Sequence, residues 1–496
     1  MSSASAASLS RARRMVVLAI CSMSLFIVGL DATIVNVALP AIRGSLHASL
    51  SGLQWTIDAY TLVLASLLML AGSTADRLGR RRTFQTGLVV FSVGSLLCAL
   101  APSLDLLIAF RVVQAAGGSM LNPVAMSIVR NVFDDPRERA MAIGVWGSVF
   151  GLSMALGPIV GGALVDSVGW RAVFLVNVPI GAAAVLLTAL YVPESRAPRP
   201  RRLDPVGQML VIAALSTLTY AIIDAPRAGW SSPEIVVLLT VSVACFTSLV
   251  GYELRRFEPL LEVRFFRSAP FSGASAIAVL TFAAHGGFLF LSTLYLQDVR
   301  HLSPLDAGLY LLPMAAMTLV CAPISGRLVG RRGARRPMVI GALALTAGAA
   351  MLTRLTPGTQ TSYLLLAYFL FGLGAGMLNP PITNTAVSGM PSAQAGVAAG
   401  VASTSRQAGM TLGVAAIGAI AGGGIVGRIG PGFALATHAA WWVEVGLGLL
   451  VLALAVLTTS AWAELTARRT AERLREGEAP ARQTVTGGWA PEAAGP

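Results

Sequence analysis

The chain has 496 residues, of which 55% are hydrophobic and 12% charged, with a mean hydropathy of +0.73. Soluble domains are roughly a quarter charged, so a water-soluble globular fold is excluded. The net charge of +13 comes from 36 basic residues, all arginine, set against 23 acidic ones, and whether it implies a nucleic-acid partner depends on where the arginines lie.

A helix needs about 20 apolar residues to cross a hydrocarbon layer about 30 Å thick. Runs of that kind fall at 15–39, 52–74, 84–101, 106–129, 141–164, 171–192, 205–224, 235–253, 271–296, 306–329, 337–354, 361–387, 396–421 and 440–463. That predicts an all-α polytopic membrane protein of fourteen spans, with 84–101 short and 396–421 rich in small residues. The first run follows Arg11, Arg13 and Arg14 but is too long for the core of a signal peptide and has no clear cleavage site. Residues 193–204, with four Arg, read as a cytoplasmic linker, and after Ala463 the tail, with Arg468, Arg469, Arg473 and Arg475, as a short interfacial helix. No structure is expected for 480–496.

Sorting the arginines by alternate loops places 28 of the 36 on the side of the N-terminus. Six lie opposite (Arg43, Arg171, Arg227, Arg300, Arg354 and Arg428), and Arg111 and Arg406 fall within spans. By the positive-inside rule both termini are cytoplasmic. The charge is thus a matter of orientation, and no nucleic-acid partner is expected. Cys21, Cys98, Cys245 and Cys321 lie in apolar runs without ligand spacing, and the four His form no HExxH, so neither a metal nor another cofactor is expected. Without Lys the chain has no P-loop of the GxxxxGK[ST] type.

The sequence repeats itself. Met120-Leu121-Asn122-Pro123 returns as Met377-Leu378-Asn379-Pro380 at an offset of 257, Gly72–Arg82 resembles Gly326–Arg336 at 254, and Leu156-Gly157 returns as Leu412-Gly413 at 256. Three matches in one order indicate duplication. The expected organisation is a tail (1–14), a six-helix half (15–192), the linker (193–204), an inserted helix pair (205–253), a cytoplasmic loop (254–270), a second six-helix half (271–463) and a tail (464–496). Parallel halves around a shared pathway are the plan of a rocking transporter.

Gly72-Ser-Thr-Ala-Asp76-Arg77-Leu-Gly79-Arg80-Arg81-Arg82 resembles the loop signature of the major facilitator superfamily. Leu30-Asp31 through Pro40 is similar to a signature of its fourteen-helix drug:proton antiporter family, and Gly147, Gly151, Gly157-Pro158 and Gly161-Gly162 resemble the antiporter motif. Trp170-Arg171, Phe174 and Asn177-Val-Pro179 also match. The resemblance covers 15 to about 463 and implies a major facilitator fold with fourteen helices. It further implies that Asp76 steadies one access state by meeting a helix N-terminus of the other half; a solvated positive-inside loop is the competing reading. For the span-5 motif, gating and simple helix packing compete.

An ionisable group at the centre of a span costs at least about 2.5–3.5 kcal/mol and is a functional candidate by default. At 1.5 Å per residue, Asp31, Asp58 and Arg111 share one layer. One guanidinium neutralises one carboxylate, which leaves the other to exchange protons; the alternatives are a static Asp31–Arg111 pair and a solvated Asp58 at its helix end. Arg111 begins Arg-Val-Val-Gln114-Ala115-Ala-Gly117, similar to the family's proton-transfer motif except for Ala115 where Gly is usual. The 254 offset carries Asp31 to His285, read as a proton relay or a packing residue. Arg406 either attracts an anionic substrate group or locks its half. Asp224 and Glu444 are expected to be solvated near outer ends, and the core of 306–329 holds no acid, which weakens a preference for lipophilic cations. Tyr60, Trp146 and Trp55 read as cavity lining or interface anchors, and Asn122 and Asn379 as donors to substrate or across helices.

The expected function is proton-driven export of amphipathic small molecules such as drugs or antibiotics, by a monomer in a bacterial inner membrane. A dedicated metabolite exporter or an importer is the alternative within transport. An enzyme lacks a catalytic constellation, a channel a filter, and a receptor a sensory domain. Reporter enzymes active only outside the cytoplasm, fused into 226–232, are expected to be active and those fused into 193–197 silent. The opposite pattern would overturn the orientation.

Overall fold

The computed structural model describes residues 10–133, 135–197, 203–256, 259–388, 390, 394–423, 430 and 432–486. Residues 198–202 of the expected linker, Arg428, and 1–9 and 487–496 of the tails lie outside them. The first six-helix set is α1 (Arg11–Leu46), α2 (Leu50–Leu78), α3 (Arg80–Leu100), α4 (Leu104–Val132), α5 (Pro136–Ser167) and a sixth broken into α6 (Ala172–Leu175) and α7 (Asn177–Tyr191). The pair α8 (Pro205–Ala228) and α9 (Pro233–Glu253) follows. The second set comprises α10 (Ala269–Leu294), extended by a π-helical turn at Tyr295–Val299, then α11 (Pro304–Tyr310), α12 (Leu312–Arg332), α13 (Arg335–Leu352), α14 (Thr361–Val387), α15 (Ala395–Gly423), α16 (Gly432–Ala436) and α17 (His438–Thr458). An amphipathic tail helix, α18 (Ala461–Thr486), is longer than the short one expected and enters the stretch for which no structure was expected.

The helices begin where the sequence supplies caps. Ser49, Ser103, Asp204 and Ser232 each accept a hydrogen bond from a free N–H in the first turn of α2, α4, α8 and α9, and Pro205 and Pro233 open the last two. Among the described residues twelve helices are long and apolar enough to cross a membrane, which makes the chain a multi-pass membrane protein. The expected spans 337–354 and 396–421 are helical too, as α13 and α15, but are less apolar: Arg335 and Arg336 open the one, and Arg406-Gln407 interrupts the other. The duplication is visible in the backbone, since the sixth helix of each set breaks near its start, α6 from α7 and α16 from α17.

Within each set α1 packs on α5, α3 and α2 on α4, α10 on α15, and α12 and α13 on α14. Between the sets α2 lies along α15, and α5 along α11 and α12. The inserted α8 packs against both α2 and α15, so it spans that seam; Gln208 donates to the Ser66 carbonyl at 2.6 Å, and Tyr220 meets the Trp55 ring at 5.8 Å.

The polar contacts between the sets gather towards the end that the arginines assign to the outside. Arg43 pairs with Asp298 at 2.6 Å, Gln297 donates to the Val37 carbonyl at 2.8 Å, and the Leu305 N–H donates to Asp166 at 3.3 Å. At the opposite end the loop motif keeps to its own set, contrary to the expected contact of Asp76 with the other half. Asp76 pairs with Arg80 at 3.0 Å, one turn on, and its carbonyl accepts from the Ala197 N–H at 3.2 Å. Arg80 N–H donates to the Ser195 carbonyl and Arg81 N–H to the Glu194 carboxylate. Gly79 makes this fold-back possible, with φ at 115° and Glu194 where a β-carbon would stand. Arg77 is exposed, and Gly72 merely approaches Pro123. The end that the arginines assign to the outside is therefore the one these contacts hold closed.

With the four native cysteines replaced, a cysteine at Leu50, which lies against Gly422 at that end, reports its opening to a membrane-impermeant maleimide. Asp298→Asn is expected to speed labelling by up to about fivefold, the equivalent of about 1 kcal/mol for a partly screened ion pair. An unchanged rate would remove Arg43–Asp298 from the closure.

Candidate proton and substrate site

Asp31 and Arg111 form an ion pair with 0% and 1% of their surfaces exposed. Further polar partners come from α2, α3, α4 and α7. Gln114, one turn from Arg111 on α4, accepts from Arg111 at 2.7 Å and donates to Asp31 at 2.8 Å. Asn177, at the start of α7, donates to Asp31 at 3.1 Å, and Ser95 on α3 accepts from both Gln114 (2.7 Å) and Asn177 (3.1 Å). Arg111 Nε donates to the Thr56 carbonyl of α2 at 3.1 Å, while the Tyr60 ring lies 4.1 Å from the guanidinium carbon. An Asp–Arg pair is tolerated in hydrocarbon only when its geometry and spare lone pairs are so satisfied. The break between α6 and α7 is what presents Asn177 there.

Asp58 is different. It is fully buried, and neither of its carboxylate oxygens has a hydrogen-bond partner. The expectation of a solvated helix end is overturned. Arg111 is already committed to Asp31, so Asp58 is the acid left over. Its neighbours one turn away on either side, Gln54 and Thr61, both bond α15: Gln54 donates to the carbonyls of Val414 (3.1 Å) and Ala415 (2.9 Å), and Thr411 donates to Thr61 at 2.8 Å. Residues 54, 58 and 61 lie on one helical face, so Asp58 sits on the seam between the two sets.

Span 5 links the pair to the other seam. Pro158 lacks an N–H and so frees the carbonyl of Met154; the hydroxyl of Thr33, two residues after Asp31, lies 3.4 Å from that carbonyl and 3.3 Å from the Leu30 carbonyl of its own helix. The approach requires Gly157, where a β-carbon would fall 1.9 Å from Thr33 Oγ1, and Gly161 similarly meets Ile34. On the far face Gly162 meets Pro304 of α11, and the Pro158 carbonyl meets Gly308. Gly147 and Gly151 make no such close approach.

The remaining candidates do not converge on Asp31. Tyr60 is buried beneath Arg111 and so does not line a cavity, and Trp55 meets the inserted pair. Asn122 Oδ1 and Trp146 Nε1 have no partner, and Asn379 takes the matching place before Pro380 in α14. His285 is buried with both ring nitrogens unpartnered, 6.2 and 6.5 Å from the rings of Phe282 and Phe371. Arg406 donates to Thr383 and weakly to Ser403 (3.4 Å) and has no acidic partner among the described residues. Glu444, expected to be solvated, is fully buried with both oxygens unpartnered. Among the described residues no three His, Cys, Asp or Glu side chains converge as a metal site requires.

Residues 21–414 match the family model of the Major Facilitator Superfamily. The chain belongs to that superfamily. Over 399 residues it is 38% identical to the multidrug resistance protein Stp of Mycobacterium tuberculosis, covering 80% of this chain and 74% of the relative. It is 38% identical over 400 residues to the tetracenomycin C resistance and export protein of Streptomyces glaucescens, with the same coverage, and 36% identical over 395 residues to the methylenomycin A resistance protein of Streptomyces coelicolor, covering 79% and 82%. The fold matches a bacterial homologue of the human lysosomal transporter Spinster in an inward-facing, unoccupied conformation (TM-score 0.63, 19% identity, 94% of this chain and 99% of that one) and the peptide transporter POT (0.65, 16%, 90% and 94%).

Removing one member of a buried ion pair leaves the other uncompensated, at a cost of about 3–5 kcal/mol. Arg111→Leu is therefore expected to lower the thermal unfolding midpoint of the purified protein sharply, and Asp31→Asn/Arg111→Leu together to recover much of that loss. A double variant whose loss equals the sum of the Asp31→Asn and Arg111→Leu losses would show that the two residues act independently.

Proposed function

We propose that this protein is a proton-coupled exporter of amphipathic small molecules, drugs or antibiotics among them, that works by alternating access. The observation that carries the reading is Asp58, a buried carboxyl without a partner on the seam between the sets, beside an Asp31–Arg111 pair that is already neutral. An ionised carboxyl enclosed there would be left without water or counter-charge, so α2 closes on α15 only when Asp58 carries a proton. In the outward-open state the carboxyl meets water, takes up a proton as substrate leaves, and the seam closes over it. The proton then leaves on the inner side as substrate loads. The same acids in an importer would run the cycle the other way; the likeness to relatives named for resistance and export favours outward movement of substrate.

α13 and α15 complete fourteen spans in this reading, with both termini in the cytoplasm of a bacterial cell and the monomer as the working unit. Arg406, a positive charge with no acidic partner among the described residues, favours substrates that carry an anionic or electron-rich group. Asn122, Asn379 and Trp146 supply hydrogen bonds to the polar end of an amphipathic substrate.

Everted membrane vesicles offered a compound panel, with a dye reporting the pH gradient, test the coupling. Substrate is expected to dissipate the gradient in wild type. Asp31→Asn and Asp58→Asn, inserted at normal levels, are expected to abolish gradient-driven transport. Transport that survives collapse of the pH gradient would refute antiport, and wild-type efflux by Asp58→Asn would remove Asp58 from the coupling.

A further inference from the structure

The second set contains an acid to which the proposed cycle gives no task. Glu444 lies on α17, fully buried, with both carboxyl oxygens unpartnered. Its place is built by a neighbour: a β-carbon at Gly287 of α10 would stand 2.5 Å from Glu444 Oε1 and 2.7 Å from Ile417 of α15. The carboxyl therefore occupies a notch where α10, α15 and α17 meet, and any residue larger than glycine at 287 would push it out.

The duplication shows what this notch lacks. The offset of 257 that relates Met120 to Met377 carries Arg111 to Tyr368 and Gln114 to Phe371. Tyr368 meets Phe288 edge-on at 5.1 Å and Phe371 stacks on it at 4.1 Å, where the offset puts the guanidinium and amide of the first set. No counter-charge takes their place. The titratable side chains on the elements packed against α17 are His285 on α10, Arg406 on α15, Arg335 and Arg336 at the far, inner end of α13, and those of the tail helix α18; α16 has none. On α17 itself His438 bonds the Leu355 carbonyl at 2.7 Å. His285, two residues before Gly287, is the nearest along α10, and both its nitrogens are without partners. Glu444 forms no ion pair and no hydrogen bond with any of them.

We propose that Glu444 is a second proton-carrying group, seated in the C-terminal set and loaded when α10, α15 and α17 are packed as here. A carboxyl with neither water nor a counter-charge is accommodated in its neutral, protonated form. α10 and α15 are also the helices that meet α1 and α2 across the seam, so their movement opens the notch, lets water reach Glu444 and lets the proton go. The site deepens the antiport reading and rests on it for its role in transport; the carboxyl's protonation is measurable without any substrate.

Infrared difference spectroscopy of the purified full-length protein in liposomes, titrated from acid to alkaline pH, reads protonated carboxyls through their C=O stretch. Wild type is expected to show signals from Asp58 and Glu444, E444Q to lose one, D58N the other, and the double variant both. A spectrum unchanged by E444Q would overturn the proposal. The second measurement is maleimide labelling of the Leu50→Cys reporter against pH. Labelling is expected to rise towards alkaline pH, with E444Q losing part of the rise and E444D keeping it. Loss of the infrared signal with an unchanged labelling profile would mean that Glu444 holds a static proton, which also overturns its role. If efflux instead proves independent of the pH gradient, antiport fails while both measurements still judge Glu444.

Discussion

Charge cannot stay in a low-dielectric layer without compensation, and the first six-helix set is organised around meeting that requirement at Asp31 and Arg111. The guanidinium is spent on Asp31, Gln114 and the Thr56 carbonyl, with the Tyr60 ring covering one face. The carboxylate is spent on Arg111, Gln114 and Asn177. Five helices are thereby fixed at one point: α1, α2, α3, α4 and α7. The pair is thus a joint at which five helices meet.

Span 5 joins the Asp31 helix to the second set. Proline at 158 withdraws a backbone donor, and the Thr33 hydroxyl on the Asp31 helix lies within reach of the carbonyl left behind. The same turn of α5 faces α11 of the second set through Gly162 and the Pro158 carbonyl. Of the two readings of this motif, packing is what the contacts show: α5 lies close against α1 on one face and α11 on the other.

The two sets share a backbone plan but not its chemistry. Both break their sixth helix near its start, yet Asn177 in the first meets an ion pair, whereas the second sets aromatic rings where the first has Arg111 and Gln114. The first set compensates its ion pair but leaves Asp58 isolated on the seam, and the second holds isolated ionisable groups of its own, His285, Arg406 and Glu444.

Much of this was legible in the sequence because membrane helices are written in runs of apolar residues. The runs, the basic ends, the duplication and the rarity of buried charges needed no coordinates, since hydrocarbon thickness and the energetic cost of charge act on each segment separately. The pairing of Asp31 with Arg111 was within reach for the same reason, as both lie at one depth. Gln114 lay one turn from Arg111 and was visible as part of its motif, whereas Ser95 carried no signal, being a lone hydroxyl in a span. What the sequence determined by itself was the number of runs, their polarity and the few residues that must be compensated. Which acid receives the one guanidinium, that Glu444 is enclosed, and that Asp76 turns to its own linker were decided only by tertiary structure. Depth along a helix follows from residue count, but the direction a side chain faces, and what waits there, depends on how neighbouring helices are rotated and packed.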